Sequence, residues 1–344
     1  MIVPRCPGTG LTSNRHARHF DYPAGRSIDA VVIGRAGLDL YPEPDGVEIA
    51  AADRFSSDAG GSGGNIAAAV SRAGGCAALV SALSADAVGE CVRVRLRAAG
   101  VDIRHVVDCP EPGRTSLALA EVRSTDCAVV IYRNAAADWH WRYDDAVRAD
   151  LRRAGNLVVT GTALVAAQSR AQTLAAMRAA RHAGCVVWLD LDYRRWNGVA
   201  ADVTRQAYRQ AASHADVLIG NEAEFGVLDD AFATRVDHAR DHGQVVILKR
   251  GSGGARLYAG DAGLDCGVFD VKVKKPYGAG DAFLGNVVMA YQRSGDWRMA
   301  LEVGSAAGAW VVARRGCVSA MPTPDEIQSI RTAQALRPTP VWSE

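Results

Sequence analysis

The chain has 344 residues, 49% hydrophobic and 22% charged, a balance that supports a packed globular core and excludes disorder of the whole. Its 39 basic and 38 acidic side chains leave a net charge of +1, so no global field draws nucleic acid or an anionic membrane, and a small-molecule partner is expected. The eight cysteines form no C-x-x-C pair and no zinc-like cluster with histidine, which predicts free thiols in a reducing compartment.

From the N-terminus, residues 1–27 carry Arg5, Arg15, His16, Arg18, His19 and Arg26 among Pro, Gly, Ser and Thr without a hydrophobic period, and read as a flexible extension outside the core. Nothing there resembles the apolar stretch of a secretory signal, and no later run reaches the roughly 18–20 apolar residues of a membrane span, so a cytoplasmic protein is expected. Residues 28–34, IDAVVIG, are apolar enough for a buried strand, and similar runs recur at 76–81, 156–160, 185–190, 216–219 and 244–248. Between them lie stretches of helical period, such as 169–181 with Leu174, Met177 and Ala180 on one face, and 300–314 before Gly316 and the Pro322/Pro324 stop. Strand alternating with helix predicts an α/β fold: a doubly wound, mainly parallel sheet with helices on both faces.

Two stretches interrupt this alternation. Residues 38–57 and 108–133 read as extended chain, the second a hairpin with LALAEVR and CAVVIYR on either side of Ser124-Thr125-Asp126. Both are assigned to a small β-sheet lid spanning about 38–58 and 108–135, within a domain of residues 28–330 followed by a tail, 331–344. Trp139, His140 and Trp141 border the lid and read as packing residues first, with a dimer surface as the second reading.

In such sheets ligands bind beyond the carboxyl ends of strands, so the chemistry is expected in the loops there. Gly278-Ala279-Gly280-Asp281 opens a helix carrying Val287, Val288 and Tyr291; its small residues leave amide hydrogens exposed at a helix N-terminus, where an anion is favoured. Asp281 adds a carboxylate that could take a proton as phosphate is transferred, or could simply cap the helix. Gly60-Gly61-Ser62-Gly63-Gly64-Asn65 opens another helix, through Ile66, Ala69 and Val70, either to admit a ligand beside Asn65 or as a surface turn. Asn221 and Glu224 follow the strand at 216–219 with the spacing of an ordinary capping box. The turn Gly251-Ser252-Gly253-Gly254 either admits a nucleotide base or closes a hairpin, and Lys249 and Arg250 beside it could be solvated charges.

Taken in this order, GGSGGNIA near the start and GAGD near the end, the chain resembles the ribokinase-like (PfkB) carbohydrate kinase family over about residues 28–324. The resemblance implies ATP and Mg²⁺ as cofactors and a sugar as substrate. It implies Asp281 as the catalytic base, with the amides of Gly278, Ala279, Gly280 and Asp281 forming an anion hole. Asn221 and Glu224 match the family's N-x-x-E element, Glu224 acting on Mg²⁺ through water, and Lys249, Arg250, Gly251 and Gly254 should lie along the ATP site. The strings GRAGLDLYP, DCAVVIYRNAAAD, TGTAL, LDLDYR, IGNEAEF and VKVKKPYGAGD resemble the branch that phosphorylates 5-dehydro-2-deoxy-D-gluconate at its 6-hydroxyl. On that likeness Asp39, Gly60, Gly61 and Asn65 face the sugar hydroxyls, and Arg133 and Arg194 grip the substrate's carboxylate, unless they form surface ion pairs. The family likeness also makes a homodimer through the lid plausible.

Three departures follow from the same comparison. Gly63 and Gly64 replace the Pro-Ala that many relatives carry there, implying a looser loop. Lys275 stands where ribokinases have an aspartate that binds a monovalent cation, so its ammonium is expected to replace that ion. Pro276 stands where threonine is common and fixes the backbone leading into the glycine turn. The competing readings are a kinase for 2-dehydro-3-deoxygluconate or another sugar, and a catalytically silent sugar-binding protein. A dinucleotide-dependent oxidoreductase is disfavoured because Gly34-Arg35-Ala36-Gly37 is not G-x-G-x-x-G.

Overall fold

The computed structural model describes residues 19–193, 200–228 and 231–338. The chain begins with β1 (Ile28–Ile33), then β2 (Gly37–Glu43), β3 (Arg54–Gly60), α1 (Ser62–Arg72), β4 (Ala77–Ser84), α2 (Ala87–Ala98) and β5 (Asp102–Cys109). It continues through β6 (Ser116–Ala120), β7 (Val129–Tyr132), α3 (Asp145–Leu151), β8 (Ala154–Thr160), α4 (Ala167–His182), β9 (Val186–Asp190), α5 (Ala201–Ala212) and β10 (Val217–Gly220). The last part holds α6 (Glu222–Phe225), α7 (Phe232–Asp241), β11 (Val245–Lys249), β12 (Ala255–Ala259), β13 (Ala262–Cys266), β14 (Val268–Phe269), α8 (Ala279–Ser294), α9 (Trp297–Val312), α10 (Pro324–Ala333) and β15 (Leu336–Arg337).

Among the described residues, nine strands form one sheet in the order β13-β12-β11-β10-β9-β8-β1-β4-β5. It is parallel from β11 to β5 and antiparallel at β11/β12 and β12/β13. The central strands are mostly apolar because helices cover both faces, and their alternation sorts side chains into two cores. Ala30, Val32, Leu79, Val158, Trp188 and Ile247 pack with α1, α8 and α9, whereas Val31, Ile33, Leu157, Val159, Leu189 and Val246 pack with α3, α4 and α5. β1 lies between β8 and β4, so the chain leaves it in both directions, and the crevice beyond its carboxyl end is where such sheets bind ligands.

A second sheet, β3-β2-β6-β7, rises from that end, with β2 and β6 parallel and the outer pairs antiparallel. The β6/β7 pairing matches the expected hairpin. Asp108 and Cys109, read as the start of the lid, instead pair with Leu83 and Ser84 in the main sheet. β5 was hard to recognise because its exposed edge position leaves polar residues among the apolar ones. Asp58 of β3 ties the lid to the turn after α9, accepting from the amides of Cys317 at 2.9 Å and Ser319 at 3.1 Å.

The end of the N-terminal segment differs from its reading as an extension outside the core. Phe20 is buried beside Tyr291 and Trp297, and the Tyr22 hydroxyl donates to Asn156 Oδ1 at 3.0 Å. Two aromatic residues in a polar run leave no periodic signal, although they can close a gap in the core. Trp141 is buried in the second core, and Trp139 lies under the Arg133 guanidinium, so both pack as expected.

Candidate active site

Two glycine-rich helix starts, far apart in sequence, meet at the foot of the lid. The Nδ2 group of Asn65, in the first turn of α1, donates to Asp281 Oδ2, in the first turn of α8, at 2.7 Å. Asp281 is half-buried in the crevice, and Asn65 is buried.

Local backbone geometry explains the glycines. Gly278 caps α8 with φ 82°, a left-handed conformation that side chains disfavour, and this turns the first amides of the helix outward, where they have no intrahelical acceptor. Gly61 caps α1 with φ 90°, and a Cβ there would stand 2.5 Å from the Arg35 carbonyl oxygen. Gly63 packs its backbone on Gly34, where a Cβ would meet Gly34 at 2.6 Å, so the extra glycines give close approach in a buried helix start instead of the looser loop expected from the replacement. Ala279 and Gly280 complete the outward-facing turn.

Asp39 projects from β2 across Gly60 of β3: a Cβ on Gly60 would lie 2.0 Å from Asp39 Oδ2, so glycine there makes room for the carboxylate. The Tyr41 hydroxyl donates to Oδ2 at 3.1 Å, whereas the buried Oδ1 has no partner. Burial raises the Asp39 pKa above the ordinary carboxylate value, opposed mainly by the charge of Arg35. Asn65 Oδ1 is likewise buried without a partner. Two unsatisfied acceptors, one of them on the residue that holds Asp281, suit a ligand rich in hydroxyl groups.

At the carboxyl ends of β9, β10 and β11 the structure adds Asp190, which the sequence pattern did not single out, to Lys249 and Glu224, which it did. Lys249 Nζ donates to Asp190 Oδ1 at 2.9 Å and lies 3.8 Å from Glu224 Oε2. Burial pushes Asp190 up to about 7 against the opposing pull of Lys249. Burial disfavours the charge on Lys249, but Asp190 and Glu224 outweigh it and raise its pKa. The ammonium is also 3.5 Å from where a Cβ on Gly280 would stand, beside the α8 N-terminus. Lys249 is therefore a half-buried, paired cation and not a solvated charge.

The remaining expected residues fall into place unequally. Asn221 and Glu224 form a reciprocal capping box, with Glu224 N to Asn221 Oδ1 at 2.9 Å and Asn221 N to Glu224 Oε2 at 2.8 Å. Gly251 and Gly254 lie in the turn of the antiparallel β11/β12 hairpin, and Arg250 donates to Asp265 at 2.8 Å. Arg133 is ion-paired with Asp138, a carboxylate that also accepts from the Ser116 hydroxyl at 3.1 Å. Arg194 lies outside the described residues. Lys275 is fully buried: its Nζ donates to the Tyr277 carbonyl at 2.8 Å and lies 4.6 Å from the Tyr277 ring centroid. Tyr277 stacks on Tyr41 of the lid at 6.1 Å, so Lys275 braces the backbone leading into Gly278 while the stack connects it to Asp39.

No group of three or more His, Cys, Asp or Glu among the described residues has the arrangement of a metal site. Mg²⁺ commonly keeps several waters and binds through substrate phosphates with few protein ligands, and the Glu224 carboxylate fits that outer role. No helix among the described residues is long and apolar enough to cross a membrane.

The pfkB family carbohydrate kinase model matches residues 27–324. A 5-dehydro-2-deoxygluconokinase of Photobacterium profundum is 38% identical over 310 residues, covering 87% of this chain and 93% of that protein. The 5-dehydro-2-deoxygluconokinase of Geobacillus thermodenitrificans is 30% identical over 91% of this chain and 96% of its own length. Among solved structures, fructokinase with bound ATP from Xylella fastidiosa superposes with a TM-score of 0.78 at 26% identity, covering 90% of this chain and 99% of that one. A putative ribokinase II from E. coli, solved with ATP and Mg²⁺, shares the fold with a TM-score of 0.78 at 21% identity, over 89% of this chain and 99% of that one. The chain thus belongs to the pfkB family of carbohydrate kinases.

Proposed function

We propose that this kinase transfers the γ-phosphoryl group of ATP to the 6-hydroxyl of 5-dehydro-2-deoxy-D-gluconate. The observation that carries the reading is the Asn65–Asp281 hydrogen bond, which joins the sugar-facing helix start to the anion-binding one. The names of the relatives at 38% and 30% identity support the substrate.

In this reading the sugar lies under the lid with hydroxyls donating to Asp39 and Asn65, beside Gly60 and Gly61, and its O6 faces Asp281. Asn65 orients the Asp281 carboxylate, which accepts the proton as O6 bonds to phosphorus and the bond to the ADP oxygen breaks. The outward amides of Gly278, Ala279, Gly280 and Asp281, reinforced by the helix dipole, stabilise the transferring group. Lys249 adds positive charge next to Gly280, held in place by Asp190 and Glu224. Asn221, Glu224 and the turn from Arg250 through Gly251 to Gly254 border the nucleotide, while Arg133 lies toward the acidic end of the sugar. Mg²⁺, near Glu224, supplies charge neutralisation on the phosphates when bound.

Lys275 takes the place of a monovalent cation behind the Gly278 turn. Activity in K⁺-free buffer should therefore match activity with K⁺; a collapse restored by K⁺ would refute this role. The free cysteines among the described residues support a cytoplasmic setting. Phe55, Val130 and Tyr132, exposed on the lid strands β3 and β7, support a lid-to-lid homodimer. Sedimentation of the wild type beside Tyr132→Asp tests that assembly.

The substrate assignment is tested with ATP-coupled ADP release on 5-dehydro-2-deoxygluconate, 2-dehydro-3-deoxygluconate and neutral ketohexoses. The first should give the highest kcat/KM. Preference for another acceptor would reassign the substrate, and no ADP release with any of them would favour a silent sugar-binding protein.

A further inference from the structure

We propose that Arg35 receives the carboxylate of the sugar acid and sets the preference for acidic over neutral acceptors. This rests on the sugar-acid reading of the site and adds a residue that neither glycine motif contains. Arg35 follows β1 by two positions and is 8% exposed, yet its Nη1 has no hydrogen-bond partner and the guanidinium makes no ion pair among the described residues. The guanidinium reaches the foot of the lid: Nη1 lies 3.1 Å from where a Cβ on Gly37 would stand. Gly37 begins β2, and Asp39, two residues on, projects to the same face of that strand.

Three buried polar atoms at the joined ends of β1, β2 and α1 are thus unsatisfied: the Arg35 donor and the acceptors Asp39 Oδ1 and Asn65 Oδ1. The backbone keeps them together, because Gly64 N donates to the Arg35 carbonyl at 3.1 Å one residue before Asn65, whose other amide atom holds Asp281. The Asp39 carboxylate acts on Arg35 through its charge but leaves Nη1 without an acceptor, so the complement of this set is a molecule that brings a strong acceptor to the guanidinium and hydroxyl donors to Asp39 and Asn65. A hydroxylated carboxylate has that composition and gives Nη1 a charged acceptor, whereas a neutral sugar offers only a weaker hydroxyl oxygen. Arg133, by contrast, already has the buried carboxylate of Asp138 as its partner. The planar guanidinium of Arg35 can take both carboxylate oxygens, which a lysine ammonium does less specifically.

The test is steady-state kinetics of wild type, Arg35→Gln and Arg35→Lys with saturating ATP. The acceptors are 5-dehydro-2-deoxygluconate and its neutral counterpart with a hydroxymethyl group in place of the carboxylate. Loss of a charge-assisted contact should raise KM for the acid about 10- to 100-fold in Arg35→Gln. The loss should fall on KM more than on kcat, and the ratio of acid to neutral kcat/KM should collapse toward one, with part of it restored in Arg35→Lys. A ratio within twofold of wild type in Arg35→Gln would overturn the role of Arg35 and leave the substrate reading standing. If that variant does not fold, the same ratio is read in Arg35→Lys, where an unchanged value is equally contrary. Wild type inactive on the acid would refute the substrate reading, and this inference with it.

Discussion

Replacing Lys249 with methionine removes the cation that neutralises Asp190 while keeping most of the side-chain volume. Asp190 is 2% exposed and Lys249 19%, so the loss approaches that of breaking a buried pair, about 3–5 kcal/mol, and the partial exposure of Lys249 places it near the lower end. The cost depends on pH because Asp190 can answer by taking up a proton. Burial already holds its pKa near 7 against an ordinary 3.8, so the folded chain retains a proton that the unfolded chain has released. Stability from this group is therefore present at low pH and lost as pH rises between those values. Without Lys249, whose charge lowers the Asp190 pKa, the upper end of that window moves above 7. The difference in unfolding free energy between wild type and Lys249→Met should be small at pH 6. It should grow by up to about 1.4 kcal/mol per pH unit above pH 7 until it reaches its limit. Urea unfolding of both proteins at pH 6, 7, 8 and 9 measures this directly, and adding Asp190→Asn to the methionine variant should flatten the trend. A difference that is constant from pH 6 to 9 would refute the electrostatic account of this cluster. Lys249→Met should also raise KM for ATP, since the ammonium adjoins the α8 N-terminus.

Other perturbations probe the sugar side. Asn65→Ala removes the donor that orients Asp281 and should lower kcat at least about tenfold, given a hydrogen bond to a charged group of about 1.5–3 kcal/mol. ATP affinity, measured by calorimetry, should be unchanged; undiminished turnover would show that the 2.7 Å contact does not position the base. Asp39→Asn should raise KM for the sugar acid. Because burial raises the Asp39 pKa, the wild type loses stability as pH climbs above the ordinary carboxylate range, so Asp39→Asn should gain in melting temperature relative to wild type as pH rises. A relative melting temperature that falls with pH would contradict that environment.

The parts of the architecture legible in the sequence were those that physics makes local. Strands buried on both faces appear as unbroken apolar runs, as at β1 and β9, and the lid hairpin announced itself through its Ser-Thr-Asp turn. The edge strand β5 did not, because an exposed edge tolerates polar side chains, and Phe20 gave no sign because one aromatic residue carries no period. Within the site, the glycine turns marked both helix starts, but neither indicated that Asn65 and Asp281 would touch across 216 residues. The Asp190–Lys249 pair joins the ends of β9 and β11 on either side of β10, a proximity set by strand order and not by spacing. Arg35 looks like any loop arginine until its burial and its unsatisfied Nη1 are seen. Arg250 illustrates the opposite case, a basic residue beside a glycine turn that the structure pairs with Asp265.

The central claim is that the Asp281 carboxylate, held by Asn65 at the mouth of α8, removes the proton from the acceptor hydroxyl. Turnover of Asp281→Asn with saturating ATP and 5-dehydro-2-deoxygluconate tests it most directly, alongside calorimetric titration with ATP. The account predicts a fold and an ATP affinity like those of wild type and a kcat lower by about 10²-fold or more. A kcat within a fewfold of wild type would contradict it.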